Sequence, residues 1–141
     1  MNYHFRIHHE DDGYWGECVE IEGCHSQGKT MEELKLNLQE VLDLVLDEPS
    51  ESNIIFPEPN LTLKGKDIIE IKADPKIVFA QLLRMMRLKN NMTQKEVADK
   101  MGFKHLWSYQ KLESSKSSNP SLNTISKVKE VFPEFDMNMV V

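Results

Sequence analysis

Tyr3, Phe5 and Ile7 alternate with His4, Arg6 and His8 at the start of the chain, and a period of two is what a strand with one packed face requires. Glu10-Asp11-Asp12-Gly13 follows as a turn, because Asp-Gly adopts the primed turns whose twist matches flanking strands. The return strand should run from Tyr14 to about Ile21, with Trp15, Val19 and Ile21 on one side and Tyr14, Gly16 and Cys18 on the other. Both sides carry apolar area, so one can pack on a helix while the other is kept for a partner. Glu22-Gly23 ends this strand, and Cys24 to Gly28 reads as a short third one. The period then changes: Leu34, Leu38, Val41, Leu42 and Val45 recur at helical spacing. Thr30 three residues before Glu33 is a capping box that opens this helix, which should stop before Pro49. Pro49 to Asn60 reads as a loop. Leu61 to Leu63 and Ile68 to Ile71 are further strand candidates, split by Lys64-Gly65-Lys66-Asp67.

Asp74-Pro75 marks a boundary, since the residue before proline is pushed out of the helical region. Beyond it Phe79, Leu82, Leu83 and Met86 form the core stripe of a helix over Ile77 to Lys89, ended by Asn90 and Asn91. A second capping box, Thr93 with Glu96, opens a helix carrying Val97, Ala98 and Met101 inward, and Gly102 supplies the positive φ that ends it. Phe103 turns inward, and a short helix follows in which Tyr109, Leu112 and Ser108 share a buried face. Its other side shows Trp107, Gln110 and Lys111. Two short helices joined by a glycine turn form the helix-turn-helix arrangement that fits a DNA major groove. After a polar loop from Ser114 to Asn119, Ser121 caps a last helix packed through Leu122, Ile125, Val128 and Phe132, which Pro133 breaks. The tail alternates Phe135, Met137, Met139 and Val141 with polar residues, strand patterning whose unpaired edge invites a second chain. The expected architecture is an α+β N-terminal domain, a β-meander plus one long helix over residues 1–73. An all-α helix-turn-helix domain with a C-terminal strand follows over residues 76–141. Pairing through the tail predicts a homodimer or a higher oligomer.

The charge balance gives these two parts different partners. Residues 1–75 hold 6 Lys and Arg against 17 Asp and Glu, a net −11, whereas residues 76–141 hold 11 against 6, a net +5. The basic part suits a polyanion, since each phosphate neutralised releases condensed counterions; the acidic part suits a cationic partner. No run of 18 apolar residues and no signal-peptide core is present, so a soluble, cytoplasmic protein away from membranes is expected. Cys18 and Cys24 lack zinc-ligand spacing and are expected as reduced thiols, half buried.

Candidate chemistry divides along the same line. Gln94 begins its helix, where a side-chain amide and free backbone N–H groups can grip a phosphate. Gln110 and Lys111 are candidates for base edges, an amide pairing with adenine and an ammonium with guanine. Lys104 and His105 lie near the start of the second short helix. Trp107 is placed to stack, to wedge or to pack inside. Lys95 and Lys116 are phosphate anchors or solvated surface. In the other part, His8 and His9 are adjacent in a strand and point to opposite faces, which forbids joint chelation. Histidines 4, 8, 9 and 25 are therefore expected at the surface. Glu10, Asp11 and Asp12 fall consecutively in a turn and do not converge on a cation by themselves. With no nucleophile–base pair, phosphate loop or zinc spacing, no enzyme, metal or cofactor is expected.

Two resemblances sharpen this picture. Thr93-Gln94-Lys95-Glu96-Val97-Ala98, Met101-Gly102-Phe103, Leu112-Glu113 and Asn119-Pro120-Ser121-Leu122 resemble the Cro/repressor-type helix-turn-helix over roughly residues 76 to 133. Between Gly102 and Leu112-Glu113 the chain has one residue more than the common pattern, in the turn at Lys104 to Leu106. Gly13-Tyr14, Glu22-Gly23-Cys24, Gln27-Gly28, Thr30 with Glu32-Glu33-Leu34, and Pro57-Glu58-Pro59 resemble the N-terminal domain of HicB-type antitoxins, a partial RNase H-like fold, over residues 1 to 73. Many relatives have a proline after the aromatic of the second strand, where this chain has Val19 and Glu20. The resemblance implies an RNase H-like shape without its activity. It further implies an antitoxin of a HicA/HicB pair whose acidic domain masks a small basic mRNA-cleaving HicA-like toxin. The hairpin residues Glu10, Asp11, Asp12, Tyr14, Trp15, Glu17 and Glu20 are the candidates for that contact. The basic domain, dimerised, would bind double-stranded operator DNA upstream of its own operon and repress it. A different class fits the same residues: a stand-alone transcription regulator whose N-terminal domain senses a small ligand.

Overall fold

The alternation at the N-terminus gives strand β1 (Asn2–Glu10), which turns at Asp11-Asp12 into β2 (Gly13–Cys18) and then into β3 (His25–Gly28). Helix α1 (Met31–Leu46) follows, and β4 (Ile68–Lys72) completes a four-stranded sheet of order β3-β2-β1-β4. Every neighbouring pair is antiparallel, with His8 opposite Trp15, Arg6 opposite Glu17 and His4 opposite Glu70. The computed structural model describes residues 1–141.

Tyr3, Phe5, Ile7, Gly16, Cys18 and Ile71 are buried on one face, against which α1 lays Leu34, Leu38, Leu42 and Leu46. The helix opens as its cap predicts, with the Thr30 hydroxyl accepting from the Glu33 amide at 3.1 Å. Gly28 lets it approach: a Cβ there would stand 2.5 Å from the Leu34 nitrogen, a distance no side chain tolerates.

Four sequence expectations fail in this unit. β2 stops at Cys18, short of the expected Ile21, and Cys18 and Cys24, expected half buried, are buried. Leu61 to Leu63 form no strand but a turn, in which the Asn60 side chain accepts from the Thr62 amide and hydroxyl. That local bonding competes with a ladder, and Leu61 stays 86% exposed. His4, expected at the surface, is buried, because the Glu20 carboxylate accepts from both its Nδ1, at 2.7 Å, and its backbone amide, at 2.9 Å.

The chain divides into Met1–Leu46 with Phe56–Asp74, and Asp47–Ile55 with Pro75–Val141. Residues 47–55, part of the expected N-terminal span of 1–73, thus fold with the second unit. There α2 (Pro75–Lys89) buries Val78, Phe79, Leu82 and Leu83, and also Gln81, Arg84 and Arg87. These three polar side chains bind the connecting segment by its backbone. Gln81 donates to the Glu48 carbonyl at 2.8 Å, Arg84 to those of Ser52 and Ile54 at 2.7 and 2.6 Å, and Arg87 to that of Ser50 at 3.1 Å.

Helices α3 (Gln94–Lys100), α4 (Leu106–Gln110) and α5 (Leu122–Val131) complete this unit, a one-turn 3₁₀ segment over Lys111–Glu113 extending α4. Ser121 caps α5 as expected, but Leu122 is 84% exposed and Ile125 half-buried, leaving Val128 and Phe132 to hold the helix. The tail corrects the expected strand. Met137–Met139 form a 3₁₀ turn capped by Asp136, with Phe135 and Val140 buried in their own unit. Phe135 meets Phe79 edge to face at 5.5 Å, and Lys129 binds the Pro133 and Phe135 carbonyls. Spacing of two followed the tail's exposure only as far as Met139, since Val140 is buried and Val141 exposed, and it missed the backbone, so the edge that argued for a second chain does not exist.

Candidate nucleic-acid interface and partner face

The helix-turn-helix is built by local signals. The Thr93 hydroxyl accepts from the Glu96 amide at 3.1 Å while the Glu96 carboxylate accepts from the Thr93 amide at 3.2 Å, the full capping box. At the other end Gly102 takes φ +78°, and the amides of Phe103 and Gly102 reach back to the Ala98 and Asp99 carbonyls. Those paired bonds are a Schellman ending. The turn runs from Met101 to His105.

Tyr109, Leu112 and Glu113 face inward from α4 and its 3₁₀ extension, while Trp107, Gln110 and Lys111 are exposed. Glu113 is the anchor. Its side chain is fully enclosed and accepts from Arg87 Nε at 2.7 Å and Nη2 at 2.9 Å, a two-bond fork. Arg87 also donates to the Met92 carbonyl, just ahead of α3. Burial works against the Arg87 cation, yet the Glu113 carboxylate outweighs it and holds the proton more firmly than usual. Beside this pair, burial first and then the Glu113 charge keep the Tyr109 hydroxyl protonated far above its ordinary range.

The same carboxylate reaches the surface through amides. Gln94 Nε2 donates to Glu113 at 3.5 Å, and Gln94 Oε1 accepts from Gln110 at 3.2 Å. Gln94 is thus half-buried and coupled to Gln110, an arrangement that orients an exposed amide instead of presenting two independent ones. Trp107 is 55% exposed, which removes core packing from its three roles. His105 stacks on it at 5.9 Å and 15°, and Lys111 Nζ lies 4.3 Å from its ring centre. Lys95, Lys104 and Lys116 are exposed, Lys116 lying beyond the 3₁₀ turn next to Ser115, which donates to Asp47 at 2.6 Å.

The other face lies on the sheet, on the side α1 leaves open. Trp15 stacks on His8 across the hairpin at 4.0 Å and 14°, and Glu17 lies 3.1 Å from His8 Nε2. Tyr14 belongs to the opposite side, edge to face with His9 at 5.0 Å. Glu10, Asp11 and Asp12 are exposed at the turn. Glu20 departs from this group: its side chain is 5% exposed and is spent on His4 and the Asn60 amide, so it latches the loop after β2 instead of meeting a partner. Burial opposes the Glu20 charge, but the bonds from His4 and Asn60 prevail and hold its carboxyl below the usual range. A cleft of about 820 Å³ lies along β3 and the start of α1, with Asp12, Tyr14, Trp15, His25, Gln27 and Glu33 among its walls. No group of three or more His, Cys, Asp or Glu residues is placed to hold a metal ion, and no helix is long and apolar enough to cross a membrane.

Sequence reasoning missed Arg87 and Arg84. A helical stripe of Phe79, Leu82, Leu83 and Met86 gave no sign that the cations beside it face inward; their spacing of three in an otherwise apolar helix was the available signal.

A helix-turn-helix family model matches residues 83–134, so the second unit carries a DNA-binding domain of that type. Among curated proteins the chain is similar to three UPF0150 proteins of Synechocystis sp. With ssr1258 it shares 40% identity over 49 residues, 34% of this chain and 71% of that protein. With ssr1765 the identity is 34% over 59 residues, 42% of this chain and 75% of that protein. With ssl0738 it is 41% over 39 residues, 28% and 54%.

Proposed function

Because the chain belongs to the UPF0150 family and joins to it a helix-turn-helix domain, we propose that it is a HicB-type antitoxin that also represses its own operon. The observation that carries this reading is the pairing of two unlike surfaces on one chain. One is an exposed amide, cation and aromatic set on α4, fixed from behind by Arg87 and Glu113. The other is an acidic hairpin with an aromatic stack on an open sheet face.

On the α4 surface Gln110, held by Gln94, offers a donor and an acceptor to an adenine edge, and Lys111 beside Trp107 meets a guanine or a phosphate. Lys95, Lys104 and Lys116 hold the backbone and set the salt dependence. Two copies on a two-fold operator would combine modest contacts through effective concentration. On the sheet surface Glu10, Asp11, Asp12 and Glu17 attract a basic mRNA-cleaving toxin of HicA type, and Trp15 supplies apolar area at the hairpin. Inhibition is then masking of the toxin's RNA-binding surface, with no chemistry performed by this chain.

The test uses the full chain, because a cut at residue 75 would strip residues 47–55 of their partners on α2. Co-expression with a small basic protein encoded beside its gene should relieve that protein's toxicity. Gln110→Ala with Lys111→Ala should abolish binding to the DNA upstream of the operon and leave the rescue of growth intact. Trp15→Ala with Glu17→Lys should do the reverse. If neither surface variant separates the two activities, or no neighbouring toxin is neutralised, the reading fails. The cleft along β3 favours one other reading, a regulator sensing a small ligand. It requires operator affinity to respond to a metabolite with no toxin present.

A further inference from the structure

The two cysteines take part in neither proposed surface, and the sheet places them together. In the β2–β3 ladder Glu17 faces His25, so one more step of the same register sets Cys18 opposite Cys24. The Cys18 amide donates to the Cys24 carbonyl at 2.8 Å, which shows that the register does continue to this pair. A hydrogen-bonded antiparallel pair stands about 5.5 Å apart at Cα, inside the window of about 4.4–6.8 Å that a disulfide needs. Both thiols are free and point to the covered side of the sheet, Cys18 at 8% exposure and Cys24 at 1%.

We propose that Cys18 and Cys24 form a reversible dithiol site that reacts with a small peroxide and closes to an intrachain disulfide at the base of the Val19–Gly23 loop. The two sulfurs are not equivalent. The neighbouring Cys24 draws the Cys18 thiol below its ordinary range, while the Cys18 sulfur first and burial second hold the proton on Cys24. Cys18 is also the more exposed of the two. Cys18 therefore attacks and Cys24 resolves.

In the first step the Cys18 thiolate takes one oxygen of hydrogen peroxide, the O–O bond breaks, and the other oxygen leaves as water once protonated. The product is a sulfenic acid at Cys18. In the second the Cys24 sulfur attacks the Cys18 sulfur, the S–O bond breaks, and hydroxide leaves with the Cys24 proton as a second water. Two thiols lose two electrons and two protons, and one peroxide becomes two waters. Val19 to Gly23, already latched by Glu20 to His4 and Asn60, then has its two ends joined covalently.

The full-length reduced protein, folded and treated with hydrogen peroxide, should lose two hydrogens in intact mass, block both cysteines to alkylation, and recover fully on reduction. Cys24→Ser should instead trap a sulfenic acid at Cys18 that reacts with dimedone, and Cys18→Ser should leave Cys24 without a dimedone adduct under the same exposure. A wild-type protein that stays unmodified, gains oxygen without losing two hydrogens, or crosslinks between chains on a non-reducing gel overturns the proposal. An adduct at Cys24 in Cys18→Ser that forms as fast as that at Cys18 overturns the assigned roles. The wild-type mass measurement decides the main point even if a serine variant fails to fold.

Discussion

At the scale of single residues, buried charge decides more than apolar contact at both surfaces. Glu113 has no exposed side-chain area, so removing it leaves Arg87 as a buried, unpaired cation. Glu113→Ala should cost about 3–5 kcal/mol in denaturant unfolding. Replacing both partners, Arg87→Met with Glu113→Leu, should recover part of that loss, since it removes the unpaired charge and fills the volume but gives up the Arg87 bonds to the Ser50 and Met92 carbonyls. Glu20 gives a prediction in pH. Its folded pKa lies below the ordinary value of 4.5, so its contribution is fully present above that value and is lost as pH falls through the folded one. The stability gap between wild type and Glu20→Gln should be widest at neutral pH and should close on acidification below 4.5, as followed by thermal unfolding at a series of pH values. The reverse trend would show that Glu20 is not held charged by His4 and Asn60.

At the scale of elements, caps and turns were readable because their signals are local. Thr93 with Glu96, Gly102 and Thr30 each set an end where the sequence places it. Elements defined by alternation alone fared unevenly. β1 is a strand because β2 and β4 pair with it on both sides, whereas the equally alternating tail has no ladder to join and coils against Phe79 instead. The segment from Asp47 to Ile55 carries no pattern at all, yet it is tied down at four of its carbonyls by Gln81, Arg84 and Arg87. Arg84→Met should therefore speed limited proteolysis between Ser50 and Ile55, with far-UV circular dichroism little changed. Equal protease resistance in the variant would mean those bonds do not hold the segment.

At the scale of the whole molecule, the charge asymmetry persists but shrinks. Assigned to the unit they fold with, Asp47, Glu48 and Glu51 bring the helix-turn-helix unit to a net +2 and leave the sheet unit at −8. Two of the eleven cations of residues 76–141, Arg84 and Arg87, are also spent internally. Attraction to DNA then rests on the nine exposed lysines of residues 76–141, so affinity for DNA should fall as salt rises. Lys111→Ala should reduce the slope of that fall by about 1 in log–log units, read from binding isotherms at several salt concentrations. An unchanged slope would place Lys111 away from the phosphates.

The sequence by itself determined the α+β and helical halves, the helix ends and the exposed side of α4, because period, caps and glycine turns act over a few residues. Only the tertiary structure decided that His4, Arg84, Arg87 and Glu20 are internal, that residues 47–55 belong with α2, and that the tail is no strand. Those outcomes depend on partners 16 to 37 positions away, or on a ladder that is absent, and no local pattern encodes them.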